Sequence, residues 1–175
     1  MLYFIIARHN DARPVIDYFN LKKDMAFCPF PIFLADNVVL CLSGEGSAYA
    51  AAASSCLLTR WGRNGLFVHM APGDFIIPHT ITYGGTTIYQ EMLYKPPPFV
   101  SEGKIEDGEA VHAFLAAGRF LPLRQIIVMR GIPGGPVPPN GPVPPDSPVP
   151  DERILLWLEK ICFTIISPTS MWRKG

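Results

Sequence analysis

Three charged residues stand at places along the chain where a side chain can do chemistry. Asp11 and Glu109 each lie near the start of a predicted helix, where a carboxylate can hold a water molecule or accept hydrogen bonds. The dipole of a helix favours an acid at its start even without a functional role, so this interpretation stays open for both residues. Arg130 ends a predicted apolar strand. It is suited to an anion or to orienting a carboxylate, because a charged group beside a core needs a partner, unless the strand end is simply exposed.

A glycine-containing loop is the fourth candidate feature. Ser43-Gly44-Glu45-Gly46 follows the apolar run 38–42 and precedes an alanine-rich run over 47–60 with high helix propensity. Two glycines in a tight turn are often a matter of backbone geometry alone. In an open α/β sheet, however, ligands bind beyond the carboxyl ends of the strands, in loops of this kind.

The pattern along the chain predicts the elements that must position these residues. Apolar runs predict strands over 2–7, 31–34, 38–42, 66–70 and 125–129, and polar-alternating strands over 73–89 with a turn at Gly84-Gly85. Apolar periodicity predicts helices over 12–19, 47–60 and 106–120, and a last amphipathic helix that starts at Asp151. Alternating strands and helices indicate an α/β sheet.

Length and composition limit the classes of protein to consider. A chain of 175 residues is long enough for one domain, and its 49% hydrophobic residues contain no apolar run of the ~18 residues that would span a bilayer. Fifteen Lys and Arg balance fifteen Asp and Glu without a basic cluster, so we expect no nucleic acid and no membrane partner. The apolar start reads as a first strand and not as a signal peptide, which favours the cytoplasm.

The cysteines and histidines do not predict a metal site. The four cysteines are far apart in the sequence and mostly in apolar surroundings, so we interpret them as buried reduced thiols. His69 lies within an apolar strand and His112 on a helix, and neither has the partners of a metal site or a catalytic triad. We interpret both histidines as structural.

A proline-rich segment divides the chain. Residues 135–151 repeat a six-residue unit with variations, Gly-Pro-Val-Pro-Pro-Asn, then Gly-Pro-Val-Pro-Pro-Asp, then Ser-Pro-Val-Pro-Asp. The repeat predicts polyproline II and a tolerated linker or loop, or a docking segment for an aromatic groove. We expect one α/β domain over 1–134, the linker or loop over 135–151, and a helix over 152–166 that packs on the same domain.

Five segments, in their order along the chain, resemble the nucleoside phosphorylases and especially the adenosine-type nucleosidases. They are residues 7–16 around Asp11, the loop 43–46 with its small-residue helix, the pocket segment 70–73 that leads into Gly73-Asp74-Phe75-Ile76-Ile77, the stretch Asp107-Gly108-Glu109-Ala110, and Arg130-Gly131-Ile132-Pro133-Gly134. Together they cover most of residues 1–134. The chain is shorter than the family between the strands at 75–89 and the helix at 107, where a purine-stacking aromatic residue would lie.

The resemblance implies roles for particular residues. Asp11 stands where the family has a glutamate that contacts the attacking water, and Glu109 stands where a glutamate accepts hydrogen bonds from ribose hydroxyls. Arg130 would support the pocket. The implied catalytic residues are Asp11 and Glu109, and the implied substrate-binding residues are Ser43, Gly44, Gly46, Ala71, Gly73, Glu109 and Arg130.

Gly108 and Gly134 also depart from the family's pattern. Gly108 replaces a methionine that packs on the sugar, and Gly134 replaces the aspartate that supplies a proton to the departing purine. Proton donation by a positioned side chain is typically worth ~10²- to 10⁴-fold in rate, and glycine has no proton to give.

The resemblance implies a three-layer αβα fold with a central mixed sheet, a purine nucleoside as ligand with phosphate as a second substrate in the phosphorylases, no cofactor, and a homodimer. Two functions from different classes follow. The first is an enzyme that cleaves the N-glycosidic bond, and the alternative is a catalytically inactive relative that keeps the fold as a nucleoside-binding or structural protein.

Overall fold

The fold is described from a computed structural model that covers residues 1–26, 28–62, 64–71, 74–91, 95–98, 100–132 and 152–166. Its strands are β1 (Leu2–Ile6), β2 (Lys22–Lys23), β3 (Ile32–Ala35), β4 (Val38–Leu42), β5 (Leu66–Ala71), β6 (Asp74–Tyr83), β7 (Thr86–Tyr89), β8 (Ser101–Glu106) and β9 (Ile126–Ile132). Its helices are α1 (His9–Tyr18), α2 (Ser47–Trp61), α3 (Gly108–Ala117) and α4 (Glu152–Ile166).

The strands form one mixed sheet in the order β2-β3-β4-β1-β5-β9-β6-β7, with β8 paired to β6. At its centre β4, β1, β5 and β9 run parallel, whereas β3 and β6 run antiparallel to their neighbours β4 and β9. Parallel strands bring their carboxyl ends to one edge of the sheet. The loops that follow β1 and β4 and the end of β5 therefore meet at that edge.

Helices cover both faces of the sheet, which confirms the predicted three-layer αβα fold class. Successive side chains of a strand point to opposite faces, so β1 sends Phe4 towards α1 and α4 and its neighbour Ile5 towards α2 and α3. Half of the buried positions of α2 and α3 are alanine. Their small side chains allow the two helices to pack against each other and close to the sheet.

Most of the predicted elements are present, and the differences have local causes. Helix α1 begins at His9 instead of residue 12, because its first turn is polar and carries no apolar periodicity. The short strand β2 and the strand β8 were not predicted. Residue Glu106, assigned to a helix, is the last residue of β8, whose sequence Ser-Glu-Gly-Lys-Ile-Glu has little strand character and is held by pairing with β6.

The cysteines are closer together than the sequence indicated. Cys41 and Cys162 are buried, but Cys28 and Cys56 are only half-buried and their Sγ atoms lie 3.8 Å apart. The segment before β3 folds back onto α2, a contact between distant parts of the sequence that no spacing rule predicts. The predicted polyproline segment 135–151 lies outside the described residues.

Candidate functional site

A cavity of about 590 Å³ opens at the carboxyl-end edge of the sheet. Its volume lies within the usual range for small-molecule sites. It is lined by residues that follow β1 and β4, by the ends of β5, β6, β8 and β9, and by the first residues of α2 and α3. These are Ala7, Arg8, Asp11, Glu45, Gly46, Ser47, His69, Met70, Ala71, Tyr83, Glu106, Asp107, Gly108, Glu109 and Arg130.

The starts of α2 and α3 meet at the cavity through Glu109. Gly46 precedes α2 with a φ of +113°, a conformation that favours glycine, and its N–H donates to Oε1 of Glu109. Glu109 itself lies in the first turn of α3. Its carboxylate therefore lies at the N-terminal ends of two helices, where backbone N–H groups without a partner inside the helix are available to it.

Arg130 has the partner that its position required. Its Nη1 donates to Oδ2 of Asp107, while Oδ1 of Asp107 accepts the N–H of Ala110 and caps α3. The Asp107 side chain is 10% exposed and that of Arg130 is 42% exposed. The sequence analysis expected Arg130 to bind an anion or to orient a carboxylate. In the structure it contacts the carboxylate of Asp107.

Asp11 lies in the first turn of α1 and is held by the residue that precedes the helix. Nε of Arg8 lies 3.0 Å from Oδ2 of Asp11 and 3.4 Å from Oε1 of Glu45. The Asp11 side chain is only 12% exposed, whereas those of Arg8 and Glu45 are largely exposed. The arginine links the loop after β1 to the loop after β4 across the mouth of the cavity.

His69 is the buried titratable side chain of the cavity lining. It lies in β5, is 3% exposed, and its Nδ1 has no hydrogen-bond partner among the described residues. Burial lowers the pKa of the imidazole to about 4; the charge of Asp107 opposes this effect and that of Arg130 adds to it. The ring is therefore neutral at neutral pH. Interpreted as structural from the sequence, His69 turns out to line the cavity.

Tyr83 contributes an aromatic ring to the cavity at the end of β6. It is 45% exposed, and its ring packs at the N-terminus of α3, close to Gly108 and 5.9 Å from the ring of His112. Nδ1 of His112 lies 2.7 Å from the carbonyl oxygen of Gly108. The tyrosine and the glycine occupy neighbouring parts of the lining.

The structure brings five of the predicted site residues into this lining: Asp11, Gly46, Ala71, Glu109 and Arg130. Ser43 and Gly44 lie beside it, where the Ser43 hydroxyl donates to the Gly44 carbonyl and the Gly44 N–H donates to the carbonyl of Ala7. Their contact with a substrate stays a prediction. Gly73 and Gly134 lie outside the described residues.

Several lining residues had no assigned role in the sequence analysis. Arg8, Glu45 and Asp107 are neighbours of predicted residues, so their position in the loops was the available signal. His69 could have been found from strand alternation, because it lies two residues before the predicted site residue Ala71 in one strand and therefore on the same face of the sheet. In the structure Ala71 lies opposite Arg130, so this face also carries Arg130. For Tyr83 the only sequence signal was its position before the Gly84-Gly85 turn.

Comparison with known proteins identifies the fold. No protein-family model matches the chain, and no curated protein matches it. A Borrelia burgdorferi structure assigned as a 5′-methylthioadenosine/S-adenosylhomocysteine nucleosidase and bound to adenine is 12% identical, with a TM-score of 0.58 over 94% of this chain and 94% of that one.

Two further structures of this kind are similar. The apo form of 5′-methylthioadenosine nucleosidase from Arabidopsis thaliana is 10% identical, with a TM-score of 0.58 over 97% of this chain and 92% of that one. The nucleosidase from Neisseria meningitidis in complex with methylthio-immucillin-A is 12% identical, with a TM-score of 0.51 over 75% and 84%. The chain has the nucleoside phosphorylase/nucleosidase fold, as the resemblance implied.

The described residues contain no cluster of three or more His, Cys, Asp or Glu side chains that could hold a metal ion. None of the helices in the described ranges has the length and apolar character needed to cross a membrane.

Proposed function

We propose that the cavity binds a purine nucleoside and that its reaction is hydrolysis of the N-glycosidic bond. The observation that supports this most is the convergence of Asp11, Glu109 and Arg130, from three distant parts of the sequence, on one cavity at the carboxyl ends of the parallel strands. The nucleosidase structures with the same fold bind adenine and a methylthio-immucillin.

The carboxylates of the cavity can stabilise the positive charge that develops on the sugar in this reaction. Cleavage of a ribose–purine bond builds positive charge on the sugar, as in glycoside hydrolysis with its oxocarbenium-like transition state. Glu109 would accept hydrogen bonds from the ribose hydroxyls. Asp11, which Arg8 holds in place, would orient the attacking water. Asp11 is one methylene shorter than the glutamate that the resemblance implies, and a misplacement of about 1 Å can cost on the order of 10²-fold in rate.

The charges of the lining favour water over phosphate as the nucleophile. The described lining carries five carboxylates, those of Asp11, Glu45, Glu106, Asp107 and Glu109, against two guanidinium groups. Both guanidinium groups already contact carboxylates, Arg8 with Asp11 and Glu45, and Arg130 with Asp107. The net negative charge of the lining would repel a phosphate ion, whereas it would not repel an uncharged nucleoside or water.

A second function, nucleoside binding without cleavage, is favoured by one specific observation. Gly134 stands where the resemblance requires the acid that protonates the departing base, and a glycine cannot supply that proton. Binding can persist without the acid, because the ribose and the base are held by other groups. The homodimer, the cytoplasmic location and the division into domains stay predictions.

Calorimetric titration with adenine, adenosine and 5′-methylthioadenosine tests the proposal, with free base measured by chromatography after incubation. Saturable binding with release of base is the expected result for a nucleosidase, and binding without release supports the second function. Absence of saturable binding by all three compounds would overturn both. Asp36→Asn, in the β3–β4 turn away from the cavity lining, is a control for the removal of one carboxylate.

A further inference from the structure

His69 is a polar residue at a place in the sheet that an apolar side chain could fill. Its neighbour on the same face of β5 is the buried Phe67, and the residue opposite it in β9 is the buried Val128. A buried polar atom without a partner costs about 1–3 kcal/mol of stability. The described part of the fold gives Nδ1 of His69 no partner to offset this cost.

The two charged groups that influence His69 form an ion pair with each other. Asp107 and Arg130 both influence the imidazole electrostatically, but their side chains form an ion pair, and Asp107 also caps α3. Neither of them makes a hydrogen bond to the ring in this structure. A buried, unsatisfied polar side chain in the wall of a cavity is characteristic of a functional site, because its partner can arrive with the ligand.

We propose that His69 is a ligand-contacting residue of the cavity and that its imidazole forms a hydrogen bond with the bound nucleoside. This inference rests on the proposed function and adds a residue to it. Burial in the β5 strand keeps the ring neutral at neutral pH, so it carries one N–H donor and one acceptor nitrogen. Such a ring can pair with an uncharged polar ligand without adding a charge to the acidic cavity.

A ligand-contacting His69 and a purely structural His69 differ in what their removal does to binding and to stability. Replacement of His69 by leucine removes the unsatisfied nitrogen and leaves an apolar side chain among Phe67 and Val128. We expect the thermal midpoint of His69→Leu to be equal to or higher than that of the natural protein. We also expect its Kd for adenosine to rise about tenfold or more, the loss of one hydrogen bond of about 1.4 kcal/mol.

Two further variants make the result specific. His69→Asn keeps a neutral donor and acceptor close to the position of Nδ1, so it should recover part of the affinity. Gln125→Leu removes the other buried unpaired side-chain atom of the described residues, Oε1 of Gln125, which does not line the cavity. It should leave the Kd for adenosine unchanged.

The experiment is calorimetric titration of the four proteins with adenosine, together with thermal unfolding followed by circular dichroism. Histidine ¹⁵N shifts recorded with and without adenosine give a second measurement on the natural protein, and the His69 resonance should move on binding. Adenosine binding that is equal in the natural protein and in folded His69→Leu, with an unmoved His69 resonance, would overturn the inference and leave the proposed function intact. Absence of binding by the natural protein would overturn both.

Discussion

Gly108 and Tyr83 lie so close that a side chain at position 108 would have to displace the tyrosine ring. A Cβ atom built on Gly108 would be 2.9 Å from Cζ of Tyr83 and 2.7 Å from Oγ of Ser47, nearer than real Cβ atoms approach other heavy atoms. The resemblance to nucleosidases implies a methionine here. In this chain the ring of Tyr83 takes the adjoining space in the cavity wall.

Gly108→Ala should therefore destabilise the protein. A glycine replaced by alanine at a compatible position gains about 0.4–1 kcal/mol from the unfolded chain, but overpacking costs typically 1–3 kcal/mol. We expect a net loss of about 1 kcal/mol in the free energy of unfolding, measured by urea denaturation. In a Tyr83→Ala background this loss should shrink, because the ring that the new methyl group contacts is gone.

Gly103→Ala is the matched control for that prediction. A Cβ at Gly103 would meet only the Ile76 side chain, at 3.7 Å, an ordinary van der Waals distance. The substitution should leave stability unchanged or slightly raised. Equal effects of the two alanines would show that the close packing at Gly108 does not govern stability there. A cost at Gly108 that persists undiminished without Tyr83 would mean that the contact with Oγ of Ser47, and not the tyrosine ring, is responsible.

Asp107 has two functions in the fold, and two substitutions separate them. Asp107→Asn keeps an oxygen that can accept the Ala110 N–H but removes the charge that pairs with Arg130, whereas Asp107→Ala removes both. Loss of an N-cap costs about 0.5–2 kcal/mol, while a partly exposed ion pair contributes less. Urea denaturation should therefore rank the proteins natural, Asn, Ala in decreasing stability. An asparagine variant as unstable as the alanine variant would mean that the charge matters more than the cap.

The buried imidazole of His69 should make stability depend on pH on the acidic side of neutrality. The pKa of the ring is about 4 in the folded protein and 6.5 in the unfolded chain. Between these values the unfolded chain binds a proton that the folded protein does not, so stability falls as the pH is lowered from 6.5 towards 4. The decrease is about 1.4 kcal/mol for each pH unit in that interval, and this residue contributes none above it.

Urea denaturation at pH 7 and pH 5 measures this effect. The natural protein should lose about 2 kcal/mol more than His69→Leu between the two values, from the linkage of a single proton. The variant corrects for other groups that titrate between these two pH values, and it keeps the two charged groups that act on position 69, Asp107 before α3 and Arg130 of β9. Parallel decreases in the two proteins would contradict a buried neutral His69.

The sequence was sufficient to predict the fold class, because the central strands are apolar runs, interrupted in β5 only by His69, and each helix has buried apolar positions. The resemblance also indicated five lining residues, which the parallel strands and the elements that follow them bring to one edge of the sheet. The sequence could not predict that Tyr83 faces Gly108, because the position of the end of β6 relative to the start of α3 depends on tertiary packing. The strand β8 was missed for the same reason, as its pairing with β6 and not its composition makes it a strand.

The absence of an acid at position 134 leads to the last prediction, a gain of function. If Asp11 and Glu109 bind the nucleoside as proposed, the missing step is protonation of the departing purine, and Gly134→Asp restores a proton donor at the position that the resemblance assigns to it. General acid catalysis is typically worth ~10²- to 10⁴-fold. The rate of base release from adenosine, measured by chromatography, should rise by a factor in that range in Gly134→Asp.

Gly141→Asp, which adds the same charge within the proline repeat, is the control and should release base at the rate of the natural protein. Equal rates in all three proteins, with adenosine binding intact, would mean that another group supplies the proton or that the cavity holds the nucleoside without cleaving it. Asp11→Asn then separates these cases, because only a protein that cleaves the bond has a rate for the substitution to lower.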